Sequence, residues 1–207
     1  MRSRRLTSPV LVLVLGMTAC ATGTDGDSGG TPPAADRSLD AGAAQRAGAP
    51  PAEPPASVRL PSGTVVPVSP AGTTRNGLLD VPRDIAQAGW WPGGSKVGDP
   101  FGSTLLAGHV DAVDQGYGAF AELLEVRAGQ RIRLRSRHLQ QVFTVESRWL
   151  VPRDGLADAD RIFSVRGARR LTLVTCAPPY VAGDGGYQNL AVVTAVAADD
   201  VHRRGRT

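Results

Sequence analysis

Two cysteines, Cys20 and Cys176, and three histidines are the side chains of this 207-residue sequence best suited to nucleophilic and proton-transfer chemistry. Cys176 closes the apolar run Leu171-Thr172-Leu173-Val174-Thr175 and stands before Ala177-Pro178-Pro179. A thiol at a strand end, facing a proline-rich loop, is accessible to a substrate. His109 follows Leu105-Leu106-Ala107-Gly108 in the same way, with Val110-Asp111 behind it. A cysteine and a histidine, each at the end of an apolar strand, form a candidate nucleophile–base pair, in which the imidazole takes the thiol proton and the thiolate attacks a carbonyl. The alternative for Cys176 is an inert buried thiol, a common core residue, and for His109 a structural role. His138, in a predicted turn between arginine-rich strands, and His202, in the polar C-terminal stretch, are expected to be solvated.

Cys20 belongs to a different chemistry. Arg2, Arg4 and Arg5 precede an apolar stretch from Leu6 to Met17, and Met17-Thr18-Ala19-Cys20 follows. The stretch is shorter than the roughly 20 residues a membrane-crossing helix needs and fits the apolar region of a secretory signal over 1–19. Small residues before a cysteine at this distance resemble the lipobox of bacterial lipoproteins, in which the thiol receives a diacylglyceryl group and the cysteine becomes the new N-terminus. The alternatives are a plain signal peptide and a short signal anchor; all three export the chain. Of the 38 residues 20–57, 28 are Ala, Gly, Pro, Ser or Thr. They offer too little apolar surface to offset ordering entropy, so a tether is expected there.

The pair at 109 and 176 must be positioned by the segment 58–198, which is long enough for one proper core. With 25 glycines, 16 prolines and 5% aromatics, the composition excludes a coiled coil or long helical bundle. Strands are predicted at Thr64–Val68, Gly77–Val81, Ser103–Ala107, Arg131–Arg135, Val142–Leu150, Leu171–Thr175 and Leu190–Val196. The alternation of Arg131-Ile132-Arg133-Leu134-Arg135 marks one buried and one solvated face. Short helical inserts are expected within Tyr117–Leu124 and Asp154–Phe163, and a polar tail over 199–207. Together these predict an all-β domain, a closed or nearly closed barrel. The net charge of +4 falls to +1 without Arg2, Arg4 and Arg5. No basic block carries interleaved aromatics, which argues against a nucleic-acid partner. Asp154, Asp158 and Asp160 supply few ligands for calcium beside Arg153 and Arg161; no metal or cofactor is expected.

Gly108-His109-Val110-Asp111 and Thr172-Leu173-Val174-Thr175-Cys176 closely resemble the histidine and TLxTC motifs of sortases. Leu79-Asp80-Val81-Pro82, Gly89-Trp90-Trp91 and Gly118-Ala119-Phe120 with Leu123 and Leu124 resemble the actinobacterial type called class F. The resemblance runs from about 58 to 197. It implies an eight-stranded sortase barrel with Cys176 as nucleophile and His109 as general acid and base at one end. It also implies cleavage of an LPxTG-type sorting signal, a thioester on Cys176, and transfer to an amine, which a cell-wall precursor could supply. Asp111 and Thr175 are expected as supports near the pair.

In one respect the sequence departs from the family. Sortases carry an arginine about a dozen residues after the cysteine, where it binds substrate and stabilises the oxyanion; here Gln188 stands twelve residues on. Three readings follow. Gln188 does the task with neutral donors, an arginine from elsewhere (Arg83 or Arg153) reaches in, or the enzyme is slow or inactive and the barrel is a peptide-binding module. Papain-like peptidases, with cysteine before histidine, and L,D-transpeptidases, with a Ser-His-Gly-Cys-like element, fit less well.

Overall fold

Alternation of apolar residues between two faces, rather than any long helical period, sets the architecture. The structure, a computed structural model, describes residues 49–74, 79–158 and 160–205, and of 156–158 and 160 the backbone alone. Contacts divide the chain into units 1–42, which lies outside the described residues, and 43–207. Eleven strands follow in order: β1 (Ser57–Arg59), β2 (Val65–Pro70), β3 (Ala88–Trp90), β4 (Ser103–Gly108), β5 (Asp111–Ala112), β6 (Gly116–Tyr117), β7 (Arg131–Arg135), β8 (Leu139–Pro152), β9 (Arg170–Val181), β10 (Gly186–Ala197) and β11 (His202–Arg203).

Eight of them close a barrel in the order β10-β9-β4-β3-β2-β1-β7-β8, with β8 pairing back onto β10. The neighbours β2–β3 and β4–β9 are parallel and the other pairs of the ring antiparallel. β5 and β6 form a separate hairpin, and β11 extends the sheet along β8. The inserts are short. They are 3-10 turns at Ala119–Leu124, Arg153–Asp158 and Ala182–Asp184, and one α-helical turn, α1 (Asp160–Phe163).

Leu106, Leu171, Leu173, Val193, Ala195, Ile132 and Leu134 point inward and pack with Phe120, Leu123 and Phe143. The alternate residues of β4, β9 and β10 are also buried. Leu105, Ala107, Val174, Leu190 and Val192 pack on the outer face with Ile162 and with the half-buried Leu79, Val81, Trp91, Phe163 and Cys176. β4 and the first half of β9 are thus covered on both sides, which is why their sequences read as continuous apolar runs rather than alternating ones. All barrel strands and both apolar clusters lie within 53–204, so this portion carries its whole core and folds without the segment before it.

The structure changes several boundaries. The folded chain begins before residue 58, because Glu53 bridges Val97 and Ser57 opens β1. Of the predicted strand at 77–81, residues 77 and 78 lie outside the described residues. Leu79 makes one bridge with Thr73, and Pro82, which lacks an N–H, follows. The stretch after 198 is not wholly a free tail, for β11 pairs with Gln140 and Leu139. His138 is not merely solvated: its Nδ1 lies 2.8 Å from Glu53 Oε1. The helix predicted from Tyr117 is a 3-10 turn that starts at Ala119, because Gly118 is extended (φ −77°, ψ 164°).

Candidate active site

The strand register runs the segment before His109 alongside the segment before Cys176. Along the parallel pair β4–β9, Leu105 faces Thr172, Leu106 faces Leu173 and Ala107 faces Val174. His109 follows the last residue of β4, and Cys176 lies two residues beyond Val174 on β9, on the outer face with Val174. Thr175, buried one residue earlier, donates Oγ1 to the carbonyl of Gly108 at 2.9 Å. That bond joins the end of β4 to the middle of β9: Cys176 does not stand at a strand end, because β9 runs on through Pro178 and Pro179 to Val181, paired with β10.

Packing forces the glycines around His109. A Cβ on Gly108 would stand 2.6 Å from Phe120 Cγ, so the ring that anchors the 119–124 turn in the core leaves room only for glycine. A Cβ on Gly118 would collide with the carbonyl oxygen of His109, and Gly118 N donates to Val110 O at 2.9 Å. The Gly118-Ala119-Phe120 segment therefore holds the backbone of His109 from both sides.

Cys176 is half-buried, and it is the free cysteine among the described residues. Burial pushes its thiol above the ordinary value, the Asp111 carboxylate adds to this, and the Arg153 guanidinium opposes it. Asp111, at the start of β5, accepts a 2.6 Å hydrogen bond from the Tyr187 hydroxyl. That bond, with burial and the charges of Asp111, Cys176 and Tyr117, pushes Tyr187 up to about 12. Tyr187 therefore stays protonated as a donor and stacks edge-on against Tyr180, the ring centroids 5.1 Å apart.

The place expected of Gln188 is organised differently. β9 and β10 slip register between Tyr187 and Asn189, and Gln188 sits in that irregularity. Its Nε2 donates back to Gly186 O at 2.6 Å and to Asp184 O at 3.2 Å. Arg153, just past β8, reaches the same turn. Its Nη2 donates to Asp184 O at 3.2 Å, and its Nη1 to Gly185 O at 3.0 Å and Tyr187 O at 3.4 Å. Guanidinium and amide thus share one carbonyl, and a positive charge stands where the sequence of β10 has none. Arg83 is exposed on the segment after Val81-Pro82, and Cys20 lies outside the described residues.

Beside Cys176 the outer face is apolar, with Trp91 and Phe163 in edge contact at 5.3 Å over the cluster of Leu79, Val81, Leu105 and Val174. A separate concavity of about 600 Å³, lined by Glu146, Arg161, Arg166, Arg170 and Val196, includes neither member of the pair.

A half-buried thiol on an apolar outer face, within reach of the charges of Asp111 and Arg153, is suited to nucleophilic chemistry. The family model of the sortase domain matches residues 61–198. The chain belongs to the sortase family. Sortases of known structure share the fold. The SrtA sortase of Actinomyces oris is 21% identical, with a TM-score of 0.57 over 79% of this chain and 94% of that one. Sortase A of Listeria monocytogenes is 18% identical, with a TM-score of 0.54 over 75% and 93%. Sortase E1 of Streptomyces coelicolor, solved with a tripeptide in the active site, is 17% identical, with a TM-score of 0.55 over 75% and 94%. No curated protein matches the chain. Membership of the family supports a cysteine transpeptidase and accounts for the closed eight-stranded sortase barrel. Sequence reasoning missed Tyr187 as a site residue. It precedes Gln188 in β10 and meets Asp111 only through the fold.

Proposed function

We propose that this sortase is an exported cysteine transpeptidase that cleaves an LPxTG-type sorting signal, with Cys176 as nucleophile, His109 as general acid and base, and Arg153 in place of the arginine missing from β10. The observation that carries the reading is the parallel β4–β9 register, which leads β4 toward His109 alongside the part of β9 that continues to Cys176, over an apolar floor suited to the leucine and proline of such a signal. His109 takes the thiol proton. The thiolate attacks the scissile carbonyl, and the carbon–nitrogen bond breaks as His109 returns the proton to the departing amine. An acceptor amine then attacks the thioester, loses a proton to His109 and releases the thiolate. Arg153, which already biases Cys176 toward the charged form, faces the negative charge that develops on the carbonyl oxygen. Asp111 and Thr175 support the pair through Tyr187 and Gly108.

The segments Leu79-Asp80-Val81-Pro82 and Gly118-Ala119-Phe120 support the class F type within the family. The Arg2–Cys20 region supports export and a lipid anchor on the outer face of the membrane, with 20–52 as tether. A second reading, a slow or inactive peptide-binding barrel, is favoured by the raised Cys176 thiol and by the engagement of both the Gln188 amide and Arg153 with turn carbonyls. Incubation with a labelled LPxTG-type peptide, followed by mass spectrometry of the protein, separates the two. Thioester on the wild type and none on Cys176→Ala is the expected result. Cleavage by Cys176→Ala would overturn the mechanism, and peptide binding with no thioester would establish the second reading.

A further inference from the structure

One wall of the barrel concentrates positive charge without counter-charge. Alternation along β7 turns Ile132 and Leu134 into the core, and so Arg131, Arg133 and Arg135 outward. On the neighbouring strand β1, Arg59 stands opposite Arg133 and Ser57 opposite Arg135, so Arg59 shares that face. Arg204 arrives from beyond β11, its Nη1 donating to Ser136 O at 3.0 Å. Burial and then the charges of Arg133, Arg204 and Arg59 lower Arg135 below the ordinary arginine value. The ion pairs of the described residues are His138–Glu53, Arg153–Asp154 and His202–Asp199, and none involves these arginines. The Nε atoms of Arg133 and Arg135 are buried without a hydrogen-bond partner. Like charges on directly facing strand positions repel. Arg59 Nη1 donates to Gly63 O at 2.8 Å and Arg204 Nη1 to two backbone carbonyls, but no acid pairs with any of the set among the described residues, and guanidinium groups arranged so suit phosphate oxygens, which each can bind as a fork.

The course of the chain indicates which phosphates. Glu53 Oε2 accepts from Ser136 Oγ at 2.5 Å and from His138 N at 2.8 Å, at the turn that ends β7. The segment leading back to Cys20 therefore leaves the barrel at the edge of the arginine wall. A Pro/Gly/Ala-rich stretch of that length spans roughly 30 Å, so an anchor at Cys20 would keep this wall near the headgroups. We propose that the outer face of β1 and β7, with Arg59, Arg131, Arg133 and Arg135 joined by Arg204, docks on the anionic phospholipid surface to which the chain is tethered. The inference rests on the reading that the protein is exported and anchored. Docking at this wall favours one orientation. β8 runs 14 residues from Leu139, at the turn that holds Glu53, to Pro152, near Arg153 and the site, so Cys176 lies toward the far end of the barrel from the tether.

The test uses residues 49–207, which hold the whole barrel and lack the anchor, and measures co-flotation with phosphatidylcholine vesicles with and without phosphatidylglycerol. Binding is expected only with the anionic lipid and is expected to fall as salt rises. Each basic residue near such a surface contributes about fivefold. Arg59→Gln, Arg133→Gln and Arg135→Gln combined should therefore weaken binding on the order of 10²-fold. The same three positions changed to lysine should retain most of it, with thermal unfolding confirming that both variants are folded. Absence of wild-type binding, equal binding to neutral vesicles, or an unaffected glutamine variant would overturn the proposal. Binding to soluble polyphosphate in preference to vesicles would overturn it in favour of an anionic polymer. Mass spectrometry of the native N-terminus tests the anchor separately, since the vesicle result does not depend on it.

Discussion

Around Cys176, Asp111 holds the hydroxyl of Tyr187 and Arg153 holds three backbone carbonyls, whereas along β1 and β7 arginine faces arginine and no ion pair among the described residues involves them. The two regions solve different problems with the same side chains. In the proposed reaction negative charge appears and vanishes at the thiol and at a carbonyl oxygen, and the groups there are held mainly by backbone carbonyls and a hydroxyl, with Asp154 3.7 Å from Arg153 Nε. A wall whose arginines are neither paired nor fully hydrogen-bonded is fitted instead to attract something from outside. The comparison fails if changes on the wall harm catalysis as much as changes at the site.

The largest effect is expected at His109. His109→Ala removes both proton transfers, and the rate of peptide cleavage should fall about 10²–10⁴-fold, while Arg59→Gln and Arg133→Gln leave cleavage of a soluble peptide unchanged. Next comes the contest between Arg153 and Gln188. Arg153→Ala should cost up to about 10²–10³-fold in kcat, the range of a lost oxyanion donor. Gln188→Ala should cost far less, because its amide is turned toward Gly186 and Asp184. If Gln188→Ala is the damaging change and Arg153→Ala silent, the relocated charge is not the one that acts. Arg83→Ala, at an exposed position, serves as the neutral control.

A stability effect of intermediate size follows from the packing under His109. Gly108→Ala would press a methyl group against Phe120, 2.6 Å from Cγ. Overpacking of this kind costs about 1–3 kcal/mol. Calorimetry should show a lowered Tm, and a weaker kcat should accompany it because the histidine backbone must move. An unchanged Tm would mean that Phe120 has room to turn aside.

Much of the barrel was legible because burial writes itself into strand patterns. Arg131–Arg135 alternates as half-buried strands must, and Ser103–Ala107 and Leu171–Thr175 are continuous runs because both faces are covered. The strand ends were not legible. Ala177–Val181 and Gly186–Asn189 pair with each other across a largely exposed ladder, so no apolar period announces them. β1 and β11, of three and two residues, are too short for any period. The end of β4 just before His109 could be read from its neighbours in sequence, whereas the strand end expected at Cys176 is not there, because β9 continues to Val181. The place of Arg153 could not be read, since it depends on carbonyls at 184, 185 and 187 brought near only by the closure of β8 onto β10.

A smaller effect separates the two charges that act on the thiol. Asp111 raises Cys176 and Arg153 lowers it. Asp111→Asn keeps an oxygen for Tyr187 to donate to but removes the charge. The rising limb of kcat/KM, where it reports the thiolate, should move to lower pH. Arg153→Gln should move the same limb to higher pH. Opposite displacements would sharpen the picture of a thiol balanced between them, and a limb unmoved by both would show that the profile reports another group.

The smallest expected effect lies at the arginine wall's edge and concerns stability alone. Hydrogen bonds, foremost from Ser136 and then from the backbone and ring of His138, hold Glu53 at about 2, below the ordinary 4.5, against the opposing pull of burial. A carboxylate depressed in the folded state binds fewer protons there than in the unfolded chain. Its contribution is therefore complete above about 4.5 and is lost as the pH falls from there through about 2. Thermal unfolding of the wild type should lose stability over that window, and Glu53→Gln, which has no charge to protonate, should show a shallower decline from a lower starting Tm. Each kcal/mol corresponds to about 2–4 °C in a domain of this size, so the difference is measurable. Since Glu53 ties the incoming chain to the turn after β7, far from Cys176, peptide cleavage at neutral pH should be unaffected. A parallel decline in both proteins would assign the acid sensitivity to other carboxylates, and a loss of cleavage in Glu53→Gln would show that the tether end and the catalytic end are coupled rather than independent.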